Sequence, residues 1–260
     1  MQPLLGQSLA ASERRRIQRV DFNILMTGNL PNLFDPRQDF KVYMLQNFRW
    51  DNAVSGVQPL YASERKLEYQ FDASNEFEGG NEYRMLDIRT MRFNTERMKR
   101  ATNRDSIYHV ELHPDKPRLR NVYYSRPDLN GSYFVEVQEY PNDDWESDYV
   151  LVRFSLKYPE PITDGDVHVI GRYSDWRCSE ENKMLYNPST YRFETEILMK
   201  QGVYDFAYVV NQHDDRGLDE QRLEGSHFET ENFYTILVYF SPPGARSSEL
   251  IGISHVNYYD

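Results

Sequence analysis

The chain has 260 residues, of which 39% are hydrophobic and 14% aromatic, and its formal net charge is −11. This length predicts about two domains of ordinary size, and no apolar run approaches the roughly 18 residues of a membrane-spanning helix. Acidic surfaces repel phosphate backbones, which argues against nucleic-acid partners, and the single cysteine, Cys178, excludes an internal disulfide.

The chain begins with small and polar residues that end in a basic run at positions 14–16. We therefore expect residues 1–15 to form a flexible arm. From Ile17 onward apolar residues occupy every second position, as at Val20, Phe22 and Ile24, which is typical of a half-buried strand. Residues 78–81 then place two glycines in a predicted tight turn, where a positive φ is required.

A change in charge divides the chain near its middle. Residues 1–145 carry 20 basic and 21 acidic side chains, whereas residues 146–260 carry 10 and 20. The polar stretch 141–148 lies at this change, so we predict one domain over residues 16–145 and a second, acidic domain over residues 146–260. Trp145 lies at the predicted boundary, and we interpret it as a wedge between the two domains.

The second domain has the clearest strand pattern. Residues 166–171, 191–198 and 203–210 read as strands, with Phe193, Thr195 and Ile197 on one face. No segment predicts a helix longer than one or two turns. Together with the aromatic content, which favours strands, this predicts an all-β protein of two immunoglobulin-like antiparallel β-sandwiches.

The sequence motifs do not indicate an enzyme. There is no strand–turn–helix elbow for a nucleophilic serine, and Cys178 lacks the flanking residues of a thiol enzyme. His109 and His113 would be roughly 13 Å apart on a strand, too far for one metal ion. We predict a non-enzymatic protein with no catalytic residue, no cofactor and no metal.

Exposed tryptophans can anchor a partner or stack on a sugar. The residues from Gly165 to Trp176, followed by residues 181–187 and 198–204, resemble the early-set immunoglobulin-like modules that bind glycogen. That resemblance makes a carbohydrate-binding module the alternative function, with Trp176 as its sugar platform. The lysine and the further tryptophan of those modules are absent after the third strand, so an elbow anchor is the other interpretation of Trp176.

A second resemblance extends from about Ile17 to Asn257. Several uncommon motifs occur in fixed order and together resemble the plug protein family of the type IX secretion system, of which this chain corresponds to the later two-thirds. These motifs are residues 46–53, 79–84, 87–89, 128–131, 224–232, 234–239 and 242–246.

The resemblance implies a periplasmic protein of a Bacteroidota-type cell that associates with the outer membrane. It also implies a protein partner, the outer-membrane translocon, whose periplasmic side the plug closes without inserting into the membrane. Family members usually begin with a signal peptide and a further β-domain, so the chain is expected to be a fragment or a processed form.

The turns at residues 46–52 and 224–232 combine aromatic and charged residues. We predict that they meet the partner through Arg49, Trp50, Asn52, His227 and Glu231. The competing interpretation is that these motifs are structural turns that hold strands together.

Overall fold

The computed structural model describes residues 2–5, 16–27, 34–63, 65–70, 73–139, 148–214 and 217–258. These residues form two compact units. Unit 1 combines Met1–Gly80 with Ser226–Asp260, and unit 2 is Asn81–Gly225. Both are built from strands, so the predicted all-β sandwich fold is confirmed.

The elements of the first 80 residues and of the last 35 belong to unit 1. They are β1 (Gln2–Leu5), β2 (Ile17–Leu25), α1 (Pro36–Asp39), β3 (Phe40–Gln46), β4 (Val54–Ser55), β5 (Tyr61–Ala62), β6 (Lys66–Tyr69) and β7 (Glu76–Glu78). Unit 2 contains β8 (Arg84–Asp87), β9 (Met98–Arg104), β10 (Ile107–Leu112), β11 (Tyr133–Val135), β12 (Tyr149–Lys157), β13 (Gly165–Ile170), β14 (Lys183–Asn187), β15 (Arg192–Lys200), β16 (Gly202–Gln212), β17 (Leu218–Asp219) and α2 (Gln221–Glu224). The chain then returns to unit 1 with β18 (Asn232–Phe240) and β19 (Glu249–Tyr258).

Unit 1 contains two sheets. In the first sheet, the described strands follow the order β1-β2-β6-β5, and β7 also pairs with β2. In the second, the order is β19-β18-β3-β4. Alternate residues of both sheets form one apolar core, in which Phe77 of the first sheet packs on Tyr234 of the second with ring centroids 5.0 Å apart. In β2 the period-2 pattern therefore identifies Val20, Phe22 and Ile24 as the residues that enter this core.

Part of the predicted flexible arm is a strand. Gln2–Leu5 pairs antiparallel with β2, placing Gln2 opposite Asn23 and Leu5 opposite Val20. Residues 6–15 lie outside the described residues. The prediction of a flexible arm was wrong for β1. A segment of four residues is too short to show a strand periodicity, and it forms a strand because it pairs with β2, a partner that the local sequence does not reveal.

Unit 2 is a ladder of strands that folds around one core. Its order in the described residues is β11-β16-β13-β14-β15-β12-β10-β9, and β16 also pairs with β8 and β17. Phe154 of β12 packs edge to face on Phe206 of β16 at 5.1 Å within the main apolar core of the unit. One pair departs from the predicted antiparallel arrangement, because β10 runs parallel to β12, with Tyr108 opposite Val150.

The units do not follow the predicted division after residue 145. β18 pairs antiparallel with β3, placing Tyr234 opposite Gln46, so the C-terminal hairpin belongs with the N-terminal strands. Unit 1 carries 10 basic and 14 acidic side chains and unit 2 carries 20 and 27, so both are acidic. The charge change therefore marks no domain boundary, and Trp145, at the predicted boundary, lies outside the described residues.

Candidate partner-binding site

The turn after β3 is fixed by the side chain of Asn47. Asn47 and Phe48 both have left-handed backbones, with φ of 53° and 59°. The Asn47 amide Nδ2 donates to Oδ1 of Asn232 at 2.7 Å, and its Oδ1 accepts from the backbone N–H of Phe233 at 2.9 Å. Asparagine tolerates this conformation better than most residues. The turn is thus tied to the start of β18.

A buried polar cluster continues from this turn into the sandwich. Nε2 of Gln46 donates to the carbonyl of Glu78 at 2.9 Å and lies 3.1 Å from the Tyr234 hydroxyl. That hydroxyl donates to Oε1 of Gln18 at 2.5 Å, and Nδ2 of Asn232 donates to the same oxygen at 2.9 Å. Buried amides are costly without partners, so this closed network specifies how the turns meet.

The paired glycines have two different roles. Gly80 has a φ of 68°, as the predicted tight turn requires. Gly79 is required for lack of space, because a Cβ at this position would lie 2.0 Å from the carbonyl oxygen of His227. The His227 N–H in turn donates to the Gly80 carbonyl at 2.8 Å. The glycine pair therefore holds the backbone of the 226–231 loop against the turn at residues 78–80.

The predicted contact residues divide into buried and exposed groups. Arg49 is buried and forms a bidentate ion pair with Asp51, with Nη2–Oδ2 at 2.6 Å and Nε–Oδ1 at 3.1 Å. Asn52 is half-buried and donates from Nδ2 to Oε1 of Gln46 at 3.2 Å. Arg49 and Asn52 thus make contacts within the turn itself. Trp50 differs, because 59% of its surface is exposed.

His227 and Glu231 lie on the other loop. Both are half-buried. The hydrogen bond from Asn47 to Asn232, the residue after Glu231, is what joins this loop to the Trp50 turn. The predicted residues thus belong to two connected loops, and of the five only Trp50 is largely exposed.

An aromatic surface on the second sheet was not predicted beyond Trp50. We call it the aromatic patch and define it as Tyr43, Phe48, Trp50, Phe233 and Tyr239. Phe48 stacks on Phe233 at 4.8 Å, and Tyr43 contacts both Trp50 at 6.0 Å and Tyr239 at 5.6 Å. Phe48 is 45% exposed.

The strand register explains the patch. Tyr43 lies opposite Leu237, and Thr235 lies opposite Leu45, on the face of β3 and β18 that points away from the core. The signal was present in the sequence, since Phe233, Leu237 and Tyr239 alternate with the core residues of β18. A strand that is apolar on both faces predicts burial on both, and Leu45 and Leu237 on this face are indeed buried. The pattern alone therefore does not predict which aromatic residues beside them are exposed.

Trp176 is an anchor of the fold. It is only 6% exposed and lies in a small cluster with Ile170 and Val209. Its ring leaves no room for a side chain at Gly131, where a Cβ would lie 2.6 Å from the indole, and it contacts Tyr83 at 5.3 Å. A sugar platform needs an exposed ring face, which the buried Trp176 ring does not offer, and its contacts are of the kind that the elbow-anchor interpretation predicts.

The described residues offer few further groups for binding or chemistry. In that part of the chain, no group of three or more His, Cys, Asp and Glu side chains is arranged to hold a metal ion. Among the same residues no helix is long and apolar enough to cross a membrane. Cys178 is half-buried, in the turn after Trp176.

The chain is similar in sequence and fold to a protein of known structure. No family model matches the chain, and no curated protein matches it. A crystal structure of a hypothetical protein from Parabacteroides merdae is 33% identical to it with a TM-score of 0.88. The match covers 94% of this chain and 61% of that one, so the chain spans less than two thirds of its relative.

Proposed function

We propose that this chain is a non-enzymatic plug component of the type IX secretion system, which closes the periplasmic side of the outer-membrane translocon. The motifs from residue 46 to residue 246 support the assignment by their order and rarity. The relative from Parabacteroides is consistent with it, because that genus is a member of the Bacteroidota. In this proposal the protein is periplasmic and binds the translocon without entering the membrane.

The proposed contact surface is the exposed part of the aromatic patch, Trp50 and Phe48. Trp50 and Phe48 stand on a turn that Asn47 ties to β18 and that the buried cluster around Gln46 supports. Large aromatic side chains on a rigid support are the typical anchors of protein interfaces, since little side-chain entropy is lost on binding.

A plug must also leave the pore when cargo arrives. A contact made by a few aromatic anchors suits this requirement, because one or two side chains then carry most of the binding energy. In this proposal Trp50 and Phe48 contact the translocon. Arg49 and Asn52 act indirectly, by holding the turn, and the loop carrying His227 and Glu231 borders the contact.

The test is capture of the tagged chain from the periplasmic and outer-membrane fractions of a Bacteroidota cell. The parent is expected to retain the large outer-membrane channel, and Trp50→Ala to retain at least about tenfold less, because loss of an anchor commonly costs 2 kcal/mol or more. Tyr191→Ala is the matched control, since Tyr191 is an exposed aromatic residue of unit 2. Capture of the channel by parent and Trp50→Ala alike would contradict the assigned surface, and its absence with the parent would contradict the function.

A further inference from the structure

Strand β19 forms one edge of the second sheet. It is ten residues long and pairs with β18 on one side only, and no other described strand pairs with it. Such an edge presents a row of backbone N–H and C=O groups to any extended chain that approaches it.

The composition of this edge is unusual for a monomeric protein. Proteins protect long edges with lysine, proline, bulges or shortness. β19 has no lysine, arginine or proline, and its one acidic residue, Glu249, is at its first position. Ile251 and Ile253 are 43% and 54% exposed. A bulge near Leu250 and Gly252 disturbs the first residues, but the register from Gly252 onward is regular.

The other edges are protected in the ways that β19 lacks. β9 and β11 are the two end strands of unit 2; β9 carries Lys99, Arg100 and Arg104, and β11 has only three residues. At the other edges of unit 1, β4 and β5 have two residues each, and β1 has four residues that include Pro3. Among the described strands, β19 is therefore the long edge without a charged barrier.

We propose that β19 pairs antiparallel with β19 of a second copy of this chain, so that two second sheets join into one across a twofold axis. Antiparallel pairing places the two Glu249 carboxylates at opposite ends of the seam, whereas parallel pairing would place them side by side. It also brings the neutral segment 250–256 of each copy opposite its equivalent, with no like charges facing. The same surface serves both copies, as a twofold interface requires.

The expected dimer is weak. A single strand pair buries less surface than the roughly 1,200 Å² of a standard stable interface, so association should depend on concentration. The inference is independent of the proposed secretion role, because it rests on the edge of the sheet.

The experiment is sedimentation or light scattering of the purified chain at loading concentrations from about 1 to 100 μM, the range of weak complexes. The mass is expected to rise from 31.0 kDa toward twice that value. The double variant Ile251→Lys, Ile253→Lys places four positive charges along the seam and is expected to stay monomeric. The control Leu185→Lys, Leu198→Lys changes two leucines of unit 2 that are at least as exposed as the isoleucines of β19, and it is expected to associate like the parent.

A parent that stays at 31.0 kDa throughout, or a β19 variant that associates as the parent does, would overturn the proposal. If the variant fails to fold by circular dichroism, hydrogen exchange on the unmodified chain decides. Protection of the amides of residues 250–256 should then rise with concentration. Protection that is independent of concentration, or that rises elsewhere only, rejects the β19 seam.

Discussion

Replacing Arg84 by methionine should destabilise unit 2 strongly. The Arg84 guanidinium is buried and makes ion pairs with two carboxylates, from Nε to Oε1 of Glu224 at 2.9 Å and from Nη1 to Oδ1 of Asp115 at 2.8 Å. Glu224 also accepts from Nε of Arg118 at 2.7 Å and from the backbone N–H of Tyr208 at 2.9 Å. Arg84→Met therefore leaves two largely buried carboxylates with fewer partners.

The pKa of Glu224 gives the size of the effect. Burial alone would raise this pKa, but the positive charges of Arg84 and Arg118 outweigh it and lower the pKa from 4.5 to about 2. This difference corresponds to about 3 kcal/mol of stability at neutral pH. Because the folded pKa is the lower one, that stability is present above pH 4.5 and is lost as the pH falls toward 2. Removing one partner of a buried ion pair costs about 3–5 kcal/mol, so Arg84→Met should cost a similar amount.

Urea denaturation at pH 7 measures the free energy of unfolding. Arg89→Met is the matched control, because Arg89 makes ion pairs with Asp87 and Glu136 but its side chain is 31% exposed, against 4% for Arg84. Pairs of that kind contribute about 1 kcal/mol or less. The reasoning would be refuted if the two variants lost equal stability.

Three further changes test other parts of the structure. Gly79→Ala should destabilise unit 1 by about 1–3 kcal/mol, since its Cβ would overlap the His227 carbonyl, and a melting temperature equal to the parent's would contradict the close contact. Burial, together with the nearby charge of Asp128, raises the pKa of Asp205 to about 7. Its neutral form is therefore favoured in the fold, and the stability of unit 2 should rise as the pH falls from 8 toward 4. Asp205→Asn should remove up to about 4 kcal/mol of that pH dependence, and an unchanged stability profile between pH 8 and 4 would reject the shift. In urea denaturation, Trp176→Ala should lower the free energy of unfolding by about 3–5 kcal/mol. Trp50→Ala should lower it by less than about 1 kcal/mol because most of that side chain is exposed, and equal losses of stability would contradict the different burial of the two residues.

The strands could be predicted from sequence because their signal is local. Alternation places Val20 and Phe22 on one face of β2, and it gives β13, β15 and β16 nearly their observed bounds. Pairing partners carry no such signal. β3 and β18 are separated by the whole of unit 2, so the order of the strands does not reveal that they join.

The candidate site was predictable in part for the same reason. The sequence predicts the segments around Trp50 and His227 as contact sites because aromatic and polar side chains occur together there in short turns. Burial separates their roles, since Gln46, Asn47 and Arg49 turn inward to hydrogen bonds and an ion pair while Trp50 points to solvent. A one-dimensional pattern gives residue types and spacing, but it does not say on which side of a left-handed turn a side chain emerges.

Site-specific cross-linking in cells tests the central claim most directly. A photoreactive phenylalanine analogue would replace Trp50 in one version of the chain and Tyr191, an exposed residue of unit 2, in another. The proposed function predicts an adduct with the large outer-membrane channel from position 50 and none from position 191. An adduct from position 191 alone, or no channel adduct from either position, would contradict the assignment of the aromatic patch as the contact with the translocon.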